Sequence, residues 1–400
     1  MAGIVVVGAG QAGAALVGKL RAEGHAGPVT LIGEEHAPPY QRPPLSKGYL
    51  LGEMEQERLF LRPEAWYAEN GVDLRLDCTA TAIDRADRVV IADGHAVPYD
   101  QLALCTGSLP RRVPPQVGGT LGGVHVVRTL RDVDEMAPAM RRGARALVVG
   151  GGYIGLEAAA VAARLGLSVT LVEMGERILQ RVAAPETSAW FRDLHAAHGV
   201  DIREGTGLAR LEGEGEVERA VLSDGSAVPV DLVIVGVGIT PAVELAEAAG
   251  LAIDNGIAVD ALGRTSDPAI WAAGDCASFP WRGGRIRLES VQNAIDQAET
   301  VARNMLGAGA AYDPVPWFWS DQYDVKLQIA GLNVGYDRVV VRRGEKGRSH
   351  WYFAGDTLLA VDAMNEPRAY MVGKRLLEAG RSPDPAALAD PGVELKTLLG

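Results

Sequence analysis

The sequence predicts an α/β protein in which one strand, turn, helix and strand unit occurs twice, and three observations point to this class. A glycine turn of spacing G-x-G-x-x-G occurs near the start of the chain and again after residue 149. Each copy follows a run of β-branched residues and precedes a helical pattern. The 49 glycines exceed the usual share of about 7 % without forming low-complexity runs, which indicates many tight turns.

The first unit begins with an apolar run at 4–7, which predicts a strand. Three glycines follow it: Gly8, Gly10 and Gly13. The first permits a tight turn, the second lets the backbone approach a pyrophosphate, and the third lets helix and strand pack closely. A helix is predicted to about Glu23, and a second strand at 29–35 ends in acid. Glu34 lies 21 residues past the last glycine (34 − 13 = 21), where a carboxylate accepts hydrogen bonds from ribose hydroxyls.

The second unit repeats this plan. Its glycines are Gly150, Gly152 and Gly155. A helix is predicted over about 154–165, and the strand at 168–173 ends at Glu173. A single such turn also arises for purely structural reasons, but two copies in full strand, turn, helix, strand and acid context predict two dinucleotide sites.

A second internal match supports duplication of one module. "DGHAVPYDQLALCTGSLP" at 93–110 and "DGSAVPVDLVIVGVGITP" at 224–241 share an Asp-Gly turn, a Val-Pro step and a closing Gly-x-x-Pro, and their offset (224 − 93 = 131) is close to that of the glycine turns (150 − 8 = 142). We expect ligands at the carboxyl ends of two parallel sheets, with a smaller antiparallel layer between the modules marked by the Asp-Gly turns.

The remaining chain completes the fold class. The stretch 264–280 predicts a strand ending in a turn, and 290–307 predicts a helix that stops at Gly307. Beyond about Val315 the pattern indicates an antiparallel sheet with a helix. The expected fold is therefore α/β, with two Rossmann-like dinucleotide-binding domains and a C-terminal α+β domain.

Composition excludes several classes of protein. The net charge of −12 (39 − 51) argues against nucleic-acid or anionic-membrane partners. No run of about 18 apolar residues occurs, and the first strand begins by Ile4, so we expect no membrane span, no secretory signal and a cytoplasmic location. Cys78, Cys105 and Cys276 are an odd number and far apart, which supports neither a disulfide framework nor a metal site.

Five motifs together carry a family resemblance: "RPPLSKGYL" at 42–50, "GGGYIGLE" at 150–157, "WAAGDCA" at 271–277, "ESVQNA" at 289–294 and "PWFWSDQ" at 316–322. From Ile4 to past Leu377 the chain resembles the NADH-dependent ferredoxin reductases of bacterial oxygenase systems, within the glutathione-reductase-like flavoproteins. The resemblance implies an FAD-binding domain at 1–110 and 243–315, an inserted NAD-binding domain at 111–242 and a C-terminal domain at 316–400.

The resemblance also implies an FAD site. Its residues would be Gly8, Gly10, Gln11, Ala12, Gly13, Glu34, Arg42, Pro43, Lys47, Ala80, Thr106, Gly107, Arg128, Gly274, Asp275, Ser290, Val291 and Trp319. Asp275 would accept hydrogen bonds from the ribityl chain, and the helix after Ser290 would offer N–H groups to the reduced flavin. Read without the resemblance, Asp275 is also typical of a turn residue, Lys47 of a solvated helix start and Trp319 of a core residue.

The implied NADH site comprises Gly150, Gly152, Tyr153, Ile154, Gly155, Glu157, Glu173, Arg181, Val237 and Gly238. Glu173 follows the last glycine by 18 residues (173 − 155). A carboxylate there accepts from both ribose hydroxyls and repels a 2′-phosphate, so we expect NADH to be preferred over NADPH. Arg177 and Arg181 weaken this expectation, because either could turn toward a phosphate.

Lys47 and Glu157 are the predicted catalytic residues. The resemblance pairs them beside the nicotinamide, where Lys47 would favour the negative charge of the reduced flavin. Glu157 is expected in the first helical turn, where a carboxylate also complements the helix dipole, so a simple cap-region acid is the alternative. Hydride transfer itself needs no general base.

The exit route of the electrons follows from an absence in the sequence. Disulfide-reducing relatives carry a cysteine pair in the segment that is "PPYQRPPLSKGYL" here, and peroxide- or oxygen-reducing relatives carry one cysteine, whereas this segment has none. We therefore expect single electrons to pass to an external [2Fe–2S] ferredoxin serving a cytochrome P450 or a ring-hydroxylating dioxygenase.

Because small ferredoxins are usually acidic, a transient basic docking face is expected. Its candidates are Arg303, Arg338, Arg342, Arg343, Lys346 and Arg348, each of which also suits a solvated surface. We expect a monomer or weak homodimer. Alternatives are a rubredoxin reductase, a reductase with a nitrite-reductase-like partner, an NADH oxidase-like flavoenzyme, and a non-catalytic NADH-sensing protein of the apoptosis-inducing-factor type.

Overall fold

The computed structural model of the protein describes residues 3–399. The chain divides into two compact units. The first contains the residues up to Gln41 together with Gln56–Leu109 and Ile239–Pro314. The second contains Arg42–Glu55, Pro110–Gly238 and the chain from Val315 onward.

The elements of the first third begin with the predicted strand, helix and strand. They are β1 Gly3–Val7, α1 Gln11–Ala22, β2 Val29–Ile32, α2 Glu64–Glu69, β3 Val72–Arg75, β4 Ala80–Asp84, β5 Val89–Ala92, β6 His95–Leu104 and β7 Ser108–Pro110. Short 3₁₀ turns cover Pro43–Ser46 and Gln56–Leu59.

The middle of the chain contains the second repeat of the module. Its elements are β8 Val124–His125, α3 Leu130–Met136, β9 Arg145–Val149, α4 Tyr153–Arg164, β10 Ser168–Glu173, α5 Pro185–Ala197, β11 Asp201–Glu204, β12 Leu208–Glu212, β13 Arg219–Leu222, β14 Ala227–Pro229, β15 Leu232–Val235 and β16 Ile239–Pro241. Short 3₁₀ turns lie at Pro115–Val117 and Ala137–Ala139.

The last part completes the first unit and then forms the C-terminal sheet. Its elements are α6 Glu244–Ala248, β17 Ile257–Ala258, β18 Ile270–Ala272, β19 Ala277–Trp281, β20 Gly284–Ile286, α7 Val291–Met305, β21 Trp317–Gln322, β22 Val325–Gly331, β23 Arg338–Arg343, β24 Arg348–Ala354, β25 Thr357–Met364, α8 Pro367–Glu378 and α9 Pro385–Ala389, followed by a 3₁₀ turn at Leu395–Leu399.

The first unit is built on a parallel sheet in the order β3-β2-β1-β6, with β18 also parallel to β6. Leu16 and Leu20 of α1 lie in one core cluster with Ala298 and Val301 of α7. Ser290 caps α7 by accepting a hydrogen bond from the backbone N–H of Asn293 at 3.1 Å. The packing fixes the carboxyl end of β1 beside the start of α1.

The second unit contains a parallel sheet in the order β11-β10-β9-β15-β8 and an antiparallel sheet in the order β21-β22-β25-β24-β23. Leu147 and Val233 lie in the core of the parallel part. Trp351, Val361 and Leu376 join the antiparallel sheet to α8. The predicted C-terminal sheet and helix are therefore present.

The antiparallel hairpins predicted at the two Asp-Gly turns are confirmed, between β5 and β6 and between β13 and β14, but the expectation that they form one layer is wrong. Each unit has its own antiparallel strands, β4-β5-β6 in the first and β12-β13-β14 in the second. The reason is visible in β6, whose residues 95–98 pair antiparallel with β5 while 101–104 pair in parallel with β1. One long strand continues from the hairpin into the parallel sheet, so the hairpin stays with its own module.

Candidate dinucleotide-binding sites

The first glycine turn is closed at two positions and open at the third. Gly8 has a φ of +110°, and a Cβ placed on it would lie 2.1 Å from the carbonyl oxygen of Cys105. A Cβ on Gly13 would lie 2.0 Å from the carbonyl oxygen of Gly8. In contrast, apart from the residues next to it in the chain, no described atom lies within 4 Å of a Cβ placed on Gly10. The turn therefore needs glycine for the backbone at two positions and keeps open space at the middle one.

The second turn has the same geometry. Gly150 has a φ of +106°, and its Cβ would lie 2.4 Å from the carbonyl oxygen of Gly236. A Cβ on Gly155 would lie 2.1 Å from the carbonyl oxygen of Gly150. For Gly152, nothing in residues 3–399 lies within 4 Å of an added Cβ except the residues next to it in the chain.

Both turns lead into helices that begin with open amide groups. Gly10 is the N-cap of α1 and Gly152 is the N-cap of α4, and neither has a side chain that could accept from the first N–H groups. Gln11 and Ala12 begin α1, while Tyr153 and Ile154 begin α4. An N-terminus with unsatisfied N–H groups and open space in front of it fits a phosphate. Both cradles therefore fit the pyrophosphate of a dinucleotide.

The two predicted ribose acids differ in their surroundings. Glu34 lies just past β2 and is exposed. Glu173 ends β10, and its two carboxylate oxygens accept hydrogen bonds from the backbone N–H groups of Gly151 and Gly175, each at 2.7 Å. These bonds tie the acid to the second glycine turn and leave its other lone pairs for a ligand. The involvement of Gly151 was not predicted from the sequence.

Arg177 and Arg181 were both expected to be able to turn toward a phosphate, and for Arg177 the structure does not support this. Arg177 Nη1 donates to the buried hydroxyl of Ser188, and its Nη2 lies 3.4 Å from the carbonyl oxygen of Gln180. Arg181 is exposed, and its Nη1 lies 3.8 Å from the position of a Cβ on Gly238. Val237, two residues after the end of β15, is 41 % exposed.

Asp275 is held in a glycine turn of the first unit. Gly274 has a φ of +85°, and its N–H donates to Gln297 Oε1 at 2.8 Å. Ser108 Oγ donates to Asp275 Oδ2 at 2.8 Å. The sequence did not point to Ser108 or Gln297, although Ser108 directly follows the predicted residue Gly107.

Other predicted FAD residues lie in both units. In the first unit, Thr106 Oγ1 donates to the carbonyl oxygen of Ala242 at 2.6 Å, and Gly107 lies at a φ of +72° before β7. Ala80 is the first residue of β4, and Val291 is the first residue of α7.

In the second unit, Pro43 opens a 3₁₀ turn, and Arg42 Nη1 donates to the carbonyl oxygen of Arg128 at 2.5 Å. Trp319 is half-buried in β21, with its ring centroid 5.7 Å from that of Trp317.

Lys47 and Glu157 form a partly buried ion pair within the second unit. Lys47 Nζ lies 2.6 Å from Glu157 Oε2, and Glu157 is only 2 % exposed. Ser46 Oγ donates to Oε2 and Ser320 Oγ donates to Oε1, each at 2.7 Å. Lys47 is therefore not a solvated helix start, and its catalytic role stays a prediction. Both serines lie inside the motifs quoted above, next to predicted residues, but sequence reasoning missed them.

The dipole argument for Glu157 is wrong. Helix α4 begins at Tyr153, so Glu157 is its fifth residue and lies beyond the first turn. Helix-dipole stabilisation falls off within that turn. The donors around the carboxylate, rather than the helix end, are what stabilise Glu157.

Three of the arginines expected at a docking face are engaged within the protein. Arg342 donates to the carbonyl oxygens of Leu388, Asp390, Pro391 and Val393 at 2.7–3.2 Å. Arg338 donates to the carbonyl oxygen of Gly355 at 2.5 Å, and Arg348 lies over the ring of Trp190 at 4.9 Å. Arg342 is therefore a structural residue. Arg343, Lys346 and Arg303 are exposed.

The three cysteines offer no reactive thiolate. Cys78, Cys105 and Cys276 are free and buried in the described chain. Burial raises the pKa of the Cys105 thiol well above its usual range and also raises the pKa of Cys276. Because the thiolate is the reactive form, these groups suit packing rather than electron relay. Within residues 3–399, no cluster of three or more His, Cys, Asp or Glu could hold a metal ion.

Comparison with known proteins decides the family. Residues 2–298 match the pyridine nucleotide-disulphide oxidoreductase family, and residues 317–399 match the reductase C-terminal domain. The chain belongs to the pyridine nucleotide-disulphide oxidoreductase family. FAD and NAD(P)H are the cofactors of this family, which confirms the predicted cofactors, fold class and oxidoreductase chemistry.

Relatives of this oxidoreductase match along its full length. It is 44 % identical to a ferredoxin–NAD(P)(+) reductase of Sphingomonas sp, over 99 % of this chain and 97 % of the relative. It is 42 % identical to the ferredoxin–NAD(+) reductase component of the anthranilate 1,2-dioxygenase system of Burkholderia cepacia, over 99 % and 98 % of the two chains.

A solved structure is similar to the whole oxidoreductase. In the covalent putidaredoxin reductase–putidaredoxin complex, the matched chain superimposes with a TM-score of 0.96 at 40 % identity, covering 100 % of this chain and 98 % of that chain.

In the described part of this oxidoreductase, no helix is long and apolar enough to cross a membrane.

Proposed function

We propose that this oxidoreductase is an NADH-dependent ferredoxin reductase that supplies a [2Fe–2S] ferredoxin of an oxygenase system, such as a cytochrome P450 or a ring-hydroxylating dioxygenase. The observation that carries the proposal is the combination of two open glycine cradles with three buried thiols, none of them in the segment 38–50. Two dinucleotides then have a place, and the electrons leave without a sulfur intermediary. The ferredoxin is proposed as the electron acceptor because the relatives described above are ferredoxin reductases.

The FAD site is proposed at the first cradle. The amide groups of Gln11 and Ala12 would hold the pyrophosphate, Glu34 would accept from the adenosine ribose, and Asp275 would accept from a ribityl hydroxyl. Ser108 donates to Asp275 and so fixes the acceptor. We retain, as part of this proposal, an FAD domain at 1–110 and 243–315, an NAD domain at 111–242 and a C-terminal domain at 316–400.

The NADH site is proposed at the second cradle. The amides of Tyr153 and Ile154 would hold the second pyrophosphate, and Glu173 would accept from the adenosine ribose. Glu173 cannot move away from a 2′-phosphate without losing its bonds to Gly151 and Gly175. Of the two arginines expected to compete for such a phosphate, Arg177 is occupied by Ser188, so NADH is preferred over NADPH.

Lys47 and Glu157 are proposed as the charged pair at the reacting rings. When bound, the cofactors supply hydride transfer from nicotinamide to flavin and release of single electrons from the flavin. Lys47 holds a positive charge that favours the reduced flavin, and Glu157 holds the ammonium in place through a 2.6 Å contact. Ser46 and Ser320 hold the carboxylate in turn.

The ferredoxin would dock transiently on exposed basic residues. Arg303, Arg338, Arg343 and Lys346 are the candidates that are exposed in the structure, and of these Arg338 already donates to the carbonyl oxygen of Gly355. Complementary charge would steer association and make it weaken with salt. A cytoplasmic location and a monomer or weak homodimer complete the proposal.

The deciding experiment measures NADH-dependent reduction of cytochrome c by the purified holoprotein, with and without the [2Fe–2S] ferredoxins encoded beside its gene. We expect one ferredoxin to raise the rate at least about tenfold, because the partner surface selects its ferredoxin. Ferricyanide reduction in the same samples checks that the flavin accepts hydride. Vigorous NADH oxidation to peroxide that no ferredoxin alters would contradict the proposal.

A further inference from the structure

A chain of buried hydrogen bonds runs from a surface turn to Glu157 within the second unit. Glu157 accepts from Ser320 Oγ at 2.7 Å, and Ser320 Oγ accepts from Gln322 Nε2 at 3.2 Å. Gln322 Oε1 lies 2.8 Å from His195 Nε2, and Tyr323 OH lies 3.3 Å from His195 Nδ1. Ser320, Gln322 and His195 are fully buried.

Chemistry fixes the direction of every bond in this chain. The amide oxygen of Gln322 only accepts, so His195 donates from Nε2, and the neutral ring then accepts at Nδ1 from the hydroxyl of Tyr323. Burial lowers the pKa of His195 to about 4, which keeps the ring neutral at physiological pH. All four donors therefore point along the chain toward the Glu157 carboxylate, and such bonds strengthen one another.

The far end of the chain is held by a strained residue. Tyr323 lies in the turn between β21 and β22 with a φ of +56°, which costs free energy for a residue with a side chain. Its ring stacks on His198 at 3.6 Å between centroids. The turn thus keeps the Tyr323 hydroxyl against His195 of helix α5.

We propose that Ser320, Gln322 and His195 act as positioning residues for Glu157, and through it for the Lys47 ammonium, during reduction of the bound flavin by NADH. The inference rests on the proposed function. Ser46 and Lys47 occupy Oε2, so Ser320 is the side-chain donor on the other oxygen, and it determines how the carboxylate plane is turned. Gln322 and His195 keep the Ser320 hydroxyl pointing at that oxygen.

The test compares three single variants of the holoprotein: Ser320→Ala, which removes one oxygen, Gln322→Met, which keeps the side-chain size, and Thr187→Val as the matched control. Thr187 is also fully buried on α5 and also bonds to the C-terminal sheet, through Asp362 at 2.8 Å, but it does not lead to Glu157. Stopped-flow absorbance gives the rate of flavin reduction by NADH. Titration with NAD⁺, followed by flavin absorbance, gives the dissociation constant of NAD⁺, and thermal unfolding gives the stability.

We expect Ser320→Ala to slow flavin reduction about tenfold and Gln322→Met about threefold, as for loss of a hydrogen bond to a charged group and for its partial misalignment. The dissociation constant of NAD⁺ should change less than about twofold. Thr187→Val should lower the unfolding temperature but leave the reduction rate within about twofold. In a Glu157→Gln background, neither chain variant should slow reduction further, because each acts through Glu157.

An unchanged reduction rate in Ser320→Ala would overturn the inference, as would an equal loss in Thr187→Val or an undiminished effect in the Glu157→Gln background. Ser320→Ala alone decides the matter if Gln322→Met does not fold. Failure of the proposed function looks different and shows in the unchanged protein: either NADH does not reduce its flavin, or the reduced flavin passes its electrons to oxygen whichever ferredoxin is present.

Discussion

Replacing the middle glycine of each turn with alanine tests the two cradles independently. Gly10 has φ −94° and ψ −159°, and Gly152 has φ −80° and ψ 178°, which alanine adopts without strain. Because no described atom beyond the neighbouring residues lies within 4 Å of either added Cβ, the protein without cofactor should keep its stability. A gain of about 0.4–1 kcal/mol is expected where alanine restricts the unfolded chain.

The expected loss of cofactor binding free energy is much larger than this gain in stability. A methyl group at this position occupies the open space in front of the helix N-terminus and separates a phosphate from the amide groups. Each hydrogen bond to a charged group contributes about 1.5–3 kcal/mol, so losing two costs about 3–6 kcal/mol. That is at least about a hundredfold in affinity.

The assay uses the colour of the flavin. Gly10→Ala should purify folded but depleted of FAD, whereas Gly152→Ala should carry a full complement of FAD and show at least about a hundredfold higher KM for NADH. Gly8→Ala serves as the contrast, since its Cβ would lie 2.1 Å from the carbonyl oxygen of Cys105 and prevent folding with or without cofactor. Full FAD retention by Gly10→Ala together with a normal KM for NADH in Gly152→Ala would refute the assignment of the cradles.

Three further outcomes are expected. Glu173→Ala should narrow the ratio of kcat/KM for NADH over NADPH by about tenfold or more, because the carboxylate no longer repels a 2′-phosphate; an unchanged ratio would remove its ribose role. Burial raises the pKa of Asp362 to about 6, so its contribution to stability is fully present below pH 4 and is lost as pH rises through 6. Urea unfolding should therefore show the stability of the native protein relative to Asp362→Asn falling by about 3 kcal/mol in all, about half of it between pH 5 and 8; a pH-independent difference would contradict this. Finally, Arg342→Ala should lower the unfolding temperature without changing the KM for ferredoxin, whereas Arg343→Ala should raise that KM at low salt. The reverse pattern would show that the ferredoxin docks at Arg342 and not at Arg343.

The sequence determined the two cradles and the elements around them. Strand β10 and helix α7 lie where they were expected, and Ser290 and Gly307 mark the ends of α7 as predicted. These features follow from local physics, because a φ above zero, the cap of a helix and the alternation of a strand depend on residues a few positions apart. The family motifs likewise contained Lys47 and Glu157.

Which side chains meet depends on the three-dimensional packing of the chain. Glu157 accepts hydrogen bonds from residues 111 positions earlier and 163 positions later. Glu173 accepts a hydrogen bond from the glycine turn 22 positions before it, and Arg342 donates to carbonyl groups near the C-terminus. A charged side chain looks the same in the sequence whether it faces water or four carbonyl oxygens. Its role depends on which strand packs beside it, and that depends on the whole core rather than on neighbouring letters.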